Sequence, residues 1–432
     1  MPELLWKGKR EGAARAARRA SLRIDEIHGD AGESGAWRNR LVLGEARRVL
    51  ASLLPEHEGR VALVYVDPPY GTGGSFDYLA SIPGAPKEAR VAVPAYRDAG
   101  DLDGWLAMFA DTASLLRRLL ADGGSLYVHL DAHVAHYAKV VLDEIFGASA
   151  FQREIVWRIG WISGFKSQAR SWIRNHDTIL FYAKGGRPRT FHKAYVPYPP
   201  GYARRDGSPP RGKGHPLEDV WNASEADRLD SIQIMSFSGE KVGYPTQKNE
   251  ALLARIVAAS SDPGDLVLDA FAGSGTTAVV AEKLGRRWIA CDASPVAVHA
   301  TRRRLLRLPS TAPFVLEVDG ARSAGALRAR ARLDGKRCHV EITSFAPPAR
   351  ARASGAAVGV KHWSQWLDGW CVDWEHEGKL LRCASCLARQ GARPLPLACE
   401  HRYERAGRRV VLVRAYDVLG GVWSRALPVH VR

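Results

Sequence analysis

The chain reads as an α/β protein built on a mostly parallel, twisted sheet. An irregular region is inserted in it and a small all-β domain follows at the C-terminal end. Three observations predict this. Helical and strand-like runs alternate from Leu41 to about Phe146, the pattern of a parallel sheet with helices on both faces. A strand, a glycine turn and a helix start run from Asp265 to Leu284, and the next apolar run ends at Asp292, where a nucleotide-binding βαβ unit carries an acid. Beyond Cys338, short β-rich runs alternate with Gly and Pro turns.

Taken in order, residues 1–36 form a basic extension rich in Ala, Arg and Gly. Arg10 to Arg23 reads either as a basic helix or as a frayed, solvated terminus. Ala46 to Leu54 has the spacing of a short amphipathic helix, and Val61 to Val66 that of a buried parallel strand. From Gly71 to about Gly100 the chain is polar and broken by Gly and Pro, which predicts a long loop, functional or mobile, able to close over a ligand. Leu102 to Leu120 and Tyr137 to Phe146 read as helices around a strand, Ser125 to Leu130.

Residues 151–240 change character. Trp157, Trp161, Phe165, Trp172, Tyr195, Tyr198, Tyr202 and Trp221 are interleaved with Arg, Lys, Gly and Pro. Such a mixture suits base stacking with phosphate contact, or an irregular insert with its own small core. Ala251 to Ser260 predicts a helix. Val296 to Leu308 predicts another, with Arg302, Arg303, Arg304 and Arg307 facing phosphates or solvent. A linker is expected over 313–336, so a chain ending near Leu308 is expected to keep its core. The last segment, 337–432, reads as a β-sandwich-like domain. Within it, Cys383-Ala-Ser-Cys386 with Cys399 and His401 reads as a zinc set or as buried free thiols, and no metal is assigned. His129, Asp131, His133 and His136 lack a ligand frame.

The formal charge of +16 and the pI near 9.7 favour a polyanionic partner, although an Arg-rich codon habit produces the same excess. No apolar run reaches the ~20 residues that a bilayer requires, and no signal-peptide pattern opens the chain. Six cysteines are too few for a disulfide framework at this length, which points to a reducing cytoplasm.

Two short strings carry the chemistry. Asp67-Pro68-Pro69-Tyr70 follows the strand Val61 to Val66. Its prolines stiffen a turn in which the Asp67 carboxylate and the Pro68 carbonyl are neighbouring acceptors beside the flat ring of Tyr70. That suits an exocyclic amino group on a stacked nucleobase. In Asp269-Ala-Phe271-Ala-Gly273-Ser274-Gly275-Thr276-Thr277 the glycines admit close approach of a ligand to backbone.

With these strings the chain resembles the amino-group DNA methyltransferases that use S-adenosylmethionine. The acceptor motif precedes the donor motif, which is similar to the permuted, β-type order and to type III modification subunits. Asn39 to Gly44, Ser125 to Asp131, His136-Tyr137, Asn175 to Tyr182 and Pro245-Thr-Gln-Lys248 are further similar strings. Two departures stand beside the donor half: Tyr244 in place of the usual His, and Asn249 in place of the usual Pro. The resemblance implies a Rossmann-like methyltransferase domain over 37–312, with 151–240 as target-recognition region. It also implies double-stranded DNA as partner, with a restriction subunit and a homodimer as further associations. It implies transfer to N6 of a flipped-out adenine, or alternatively to N4 of cytosine; Asp rather than Ser at position 67 favours adenine. A non-catalytic DNA-binding subunit of the same fold is a third reading. Asp67, Pro68, Pro69 and Tyr70 are then the catalytic residues. Thr246 and Lys248 reach the methionine carboxylate of S-adenosylmethionine, and Asp269, Phe271, Gly273, Ser274, Gly275 and Thr276 line its methionine end. Asp292 binds its ribose. Tyr403-Glu-Arg-Ala-Gly407 followed by Val410 to Asp417 resembles the pattern of PKD-type β-sandwich modules.

Overall fold

A computed structural model of the 432-residue chain describes residues 3–9, 18–29, 37–83, 90–98, 100–159, 168, 170–222, 224, 240–320, 327–347, 360–378, 380–389 and 393–432. Trp161, Phe165 and most of the expected basic helix lie outside these residues.

The chain opens with β1 (Leu22–His28), β2 (Asn39–Leu43), α1 (Ala46–His57) and β3 (Val61–Val66). The hairpin β4 (Ser75–Ser81) and β5 (Arg90–Arg97) precedes α2 (Leu102–Leu119), β6 (Leu120–Leu130) and α3 (Ala135–Phe146). Next come β7 (Phe151–Arg158), β8 (His176–Ala183), β9 (Tyr195–Val196), β10 (His215–Pro216) and β11 (Val220–Trp221). The donor half is α4 (Glu250–Ser260), β12 (Leu266–Asp269), α5 (Thr276–Lys283), β13 (Arg287–Asp292), α6 (Pro295–Leu305) and β14 (Phe314–Asp319). The tail is all strand: β15 (Leu327–Asp334), β16 (Arg337–Phe345), β17 (Leu367–Asp373), β18 (Leu381–Cys383), β19 (Ser385–Ala388), β20 (Ala398–Arg402), β21 (Gly407–Asp417) and β22 (Val422–Val431).

One mixed, mostly parallel sheet organises the molecule, in the order β11-β7-β8-β6-β3-β12-β13-β2-β14-β1-β18. Side chains alternate across it as the strand period requires. In β3, Val64 and Val66 join the core formed with α1, α2 and α3. Leu63 and Tyr65 face the other way, into the core formed with α4, α5 and α6. Both faces are covered, so the central strands are apolar throughout.

The centre fixes where a site can form. From β3 the chain moves outward to β6, and from β12 it moves outward to β13 on the other side, while β3 and β12 pair in parallel. A crevice must open at the carboxyl ends of those two neighbours, the switch point of an open α/β sheet.

Several expectations are corrected. The expected basic extension contains a strand: β1 pairs antiparallel with β14, Leu22 opposite Asp319. The expected linker contains β14, which lies between β2 and β1 in the large sheet, and β15. A chain ending at Leu308 therefore loses an interior strand. The expected loop from Gly71 to Gly100 is mainly the β4–β5 hairpin. In the expected insert, β7 and β8 extend the large sheet, and Trp157 and Trp221 are buried in its core. Tyr195, Tyr202 and Trp172 are exposed, the last almost fully.

The tail's two sheets, β15-β16-β20 and β19-β17-β21-β22, enclose a sandwich-like core. Tyr403 donates to the Trp374 carbonyl at 2.8 Å, and buried Asp417 accepts from the backbone N–H of Leu419 and Gly421. This core is not separate. Tyr78, Val91, Tyr244, Val296 and Ala300 belong to the same apolar cluster, which joins the tail to the hairpin and to α6.

Three arginines of α6 are neither solvated nor free for phosphate, whereas Arg307, just beyond the helix, is exposed. Arg302 meets Glu26 at 3.2 Å, Arg303 meets Asp368 at 2.9 Å and Arg304 meets Glu250 at 2.7 Å. Arg307 donates to the Arg389 carbonyl. Burying a guanidinium is tolerated only with such a partner, so these pairs fix α6 against three distant segments.

Candidate active site

β3 carries Asp67 and its turn to the crevice edge, and β12 carries Asp269 to the same edge. The register Val267 opposite Leu63 sets the two ends side by side. A cavity of about 460 Å³ opens there. All four residues of the acceptor turn line it, as does every expected donor-side residue except Gly275.

The acceptor turn is braced from beneath. Buried Trp105 of α2 donates its indole N–H to the Pro69 carbonyl. Asp98, at the end of the hairpin, accepts from the Gly71 and Thr72 N–H groups at 2.7 and 2.9 Å. Sequence reasoning missed both. An acid and a Trp 27 and 36 residues from their partners leave no local signal.

The Asp67 carboxylate projects into the cavity between two side-chain donors. Tyr70 Oη donates to Oδ1 at 2.5 Å, and Lys248 Nζ to Oδ2 at 2.5 Å. Burial, and next the Asp67 charge, hold the Tyr70 hydroxyl well above the usual phenol range, so it remains a proton donor. Lys248, expected to reach a donor carboxylate, is paired here with Asp67.

The donor turn is held differently. Buried Asp269 accepts from the Phe271 N–H at 2.9 Å and from the Thr277 hydroxyl at 2.5 Å. Burial pushes its carboxyl up to about 7. Asp292 accepts from the Gly273 N–H and the Ser294 N–H, both at 2.8 Å. A carboxylate has about four acceptor positions, so Asp292 keeps acceptor capacity for a ligand.

The glycines divide. Gly273 has φ +51°, and a Cβ there would lie 3.3 Å from the Tyr244 ring. The nonstandard Tyr244 thus packs on this turn. Gly275, at φ +77°, gives α5 its entry, and a Cβ would meet the Thr301 side chain. Gly275 does not line the cavity, and it packs between α5 and α6. Ser274 and Thr276 line the cavity while their oxygens accept from Arg304, which sits under the turn.

The entry to α4 supplies the cavity's other wall. Thr246 has φ +55°, a left-handed conformation that costs a β-branched residue about 1–3 kcal/mol. Such strain is kept where surroundings enforce it, and Tyr96 Oη stands 3.4 Å from the Thr246 hydroxyl. Tyr96 stacks on Phe76, their centroids 4.8 Å apart, so the hairpin roofs the cavity with aromatic surface. Asn249, the second departure, caps α4 by accepting from the Leu252 N–H at 2.8 Å.

Beneath the acceptor strand, Tyr65 Oη and His129 Nδ1 are 2.9 Å apart, and His129 Nε2 lies 3.3 Å from Asp177. Burial opposes ionisation of Asp177, but the His129 hydrogen bond and the Lys248 and Arg174 charges pull it down to about 2. His133 Nδ1 pairs with Asp131 at 2.6 Å, while the His129 ring is taken by Tyr65 and Asp177.

A family model described as DNA methylase, of the N6/N4 group, matches residues 61–303. The chain belongs to that family. It is 29% identical over 307 residues to the type II methyltransferase M.EcaI of Enterobacter cloacae, covering 57% of this chain and 65% of the relative. It is 28% identical over 295 residues to the DNA adenine methyltransferase YhdJ of Escherichia coli K12, covering 65% and 81%. The solved complex of M1.HpyAVI with SAM aligns over 62% of this chain and all of that one, at 18% identity and a TM-score of 0.38. The chain thus spans just under two thirds of the first of these relatives.

Proposed function

We propose that this DNA methylase transfers the methyl group of S-adenosylmethionine to the N6 amino group of adenine in DNA. The single observation that carries this reading is the Asp67 carboxylate. It stands in the cavity on a Pro-Pro turn, with Pro68 and the residues of the donor turn lining the same cavity.

The residues present fit the donor. A Cβ at Gly273 would crowd the Tyr244 ring, so glycine lets these two walls of the cavity meet. Asp292 keeps acceptors for ribose hydroxyls, and Phe271 lines the same cavity. When bound, S-adenosylmethionine supplies an electrophilic methyl group, so no general base of high strength is required.

The base must leave the duplex stack to enter the cavity. The lone pair of its amino group is delocalised into the ring. Asp67 and the Pro68 carbonyl, accepting from its two N–H groups, draw the nitrogen towards sp³ and aim its lone pair. Tyr70 offers a face for the ring. For the amine to reach Asp67, Lys248 gives up its present partner and turns towards the donor's carboxylate. The Asp67 carboxylate would stabilise the developing cationic amine, which then sheds its extra proton to solvent.

Adenine is favoured over cytosine by Asp at position 67, and the E. coli relative is named an adenine methyltransferase. The same reading takes in a cytoplasmic setting, a homodimer, and a cognate nuclease, on the strength of the restriction-modification resemblance. Nucleoside mass spectrometry of duplex DNA incubated with the protein and S-adenosylmethionine tests it. N6-methyladenine is the expected product. N4-methylcytosine would replace the base assignment, and unmodified DNA of mixed sequence would overturn the activity.

A further inference from the structure

The cysteine pair singled out in the sequence does not meet Cys399 and His401. Cys399 lies in the other tail sheet, opposite Val340, and His401 stacks on Trp374. Cys383 and Cys386 instead meet the N-terminal strand. Residues Glu26 to His28 of β1 pair in parallel with Leu381 to Cys383 of β18, which places His28 beside Cys383 across 355 residues of chain.

The atoms gathered there form a donor set. His28 Nδ1 is 3.9 Å from Cys386 Sγ, and His28 Nε2 is 3.9 Å from Cys383 Sγ. Ligand atoms of these three residues all lie within 4.8 Å of one another. Cys371 of β17 is placed directly opposite Cys386 in the β17–β19 ladder, and its Sγ is 3.0 Å from that of Cys383. Tetrahedral zinc, with bonds of about 2.0–2.1 Å to nitrogen and about 2.3 Å to sulfur, sets its ligand atoms about 3.5–3.8 Å apart. Small side-chain rotations bring this set to that spacing.

We propose that His28, Cys371, Cys383 and Cys386 hold one structural zinc ion that ties β1 to the C-terminal sheet. Three cysteines and one histidine are a closed structural zinc set, and thiolate with imidazole selects zinc over magnesium or calcium. His28 ligates through Nδ1, because its Nε2 lies 2.9 Å from Glu26 and donates to that carboxylate. A histidine so oriented by a buried acid is the usual outer support of a zinc ligand. Its ring also stacks on Phe314 at 4.5 Å, which fixes its plane.

The surroundings balance the charge. Three thiolates around Zn²⁺ leave one negative charge, and Glu26 adds another. Arg302 and Arg414, at 3.2 and 3.3 Å from Glu26, supply two positive charges; Asp25, which also meets Arg414 at 3.0 Å, is offset by Arg23 at 3.4 Å. Tyr416 Oη, 3.1 Å from Cys371 Sγ, donates to that sulfur, and its ring lies 3.4 Å under the Arg302 guanidinium. Binding releases the thiol protons to solvent. The ion joins the two ends of the chain at the sheet edge, far in sequence from both reaction turns.

Metal analysis of the full chain, purified under reducing conditions with zinc supplied, tests this. One zinc per chain is expected, lost in Cys386→Ser and His28→Gln but kept in Cys399→Ser. Cobalt substitution of the unaltered protein provides a readout that needs no variant, and it should show tetrahedral cobalt with thiolate charge-transfer absorption. Absence of bound zinc, cobalt bound without thiolate absorption, full zinc in both ligand variants, or a Cys371–Cys383 disulfide in the reduced protein would overturn the site.

Discussion

At the acceptor turn, the Asp67 carboxylate is held by side chains alone, Tyr70 and Lys248. At the donor turn, Asp269 and Asp292 are held chiefly by backbone N–H groups of Phe271, Gly273 and Ser294. Side-chain partners rotate away at the cost of one hydrogen bond each. Backbone partners leave only if the turn itself unfolds. On the proposed reading, the difference separates a surface on which a substrate amine competes for a carboxylate from a preformed cradle. It also explains why the glycines and strained Thr246 lie on the donor wall, where geometry is locked.

The largest expected effect comes from deleting the competing carboxylate. Asp67→Ala should slow single-turnover methyl transfer by ~10²–10³-fold, the usual loss for one preorganised contact, while DNA affinity by filter binding changes little. Near-normal turnover would remove Asp67 from the chemistry. Next in size is a disruption of the cradle. Gly275→Val combines a left-handed backbone with a Cβ placed against Thr301, and should cost roughly 2–4 kcal/mol in denaturant unfolding. An unchanged midpoint would mean that α5 and α6 separate without penalty.

A smaller effect follows from the buried Asp269, whose carboxyl rises from 3.8 to about 7. The folded protein holds this proton where the unfolded chain has lost it. The contribution is therefore complete below about pH 4 and is lost as pH rises towards 7. Unfolding of the wild type and Asp269→Asn across that range should show the wild type losing stability relative to the variant. Parallel pH profiles would place the ionised carboxylate comfortably in the fold.

The same contrast marks what was legible in the sequence. Both turns could be read, because a Pro-Pro kink and a glycine turn are local and each follows an apolar strand. Twelve of the thirteen expected site residues line the cavity, Gly275 being the exception. What escaped were features completed by distant partners. β1 looks like part of a basic tail because its strand character emerges only against β14 and β18. The α6 arginines look solvated because Glu26, Glu250 and Asp368 lie elsewhere in the chain. His28 carries no signal until β1 is paired, so the cysteine pair was matched to the wrong companions.

On the proposed reading the two turns divide the work, one binding the donor and the other activating the base. Calorimetric titration of S-adenosylmethionine into Asp292→Asn and Asp67→Asn tests it most directly. Asp292→Asn should lose roughly 1–3 kcal/mol of donor affinity, since an amide N–H would face the backbone and the ribose. Asp67→Asn should bind the donor much as the wild type does. Equal losses in the two variants would contradict the division.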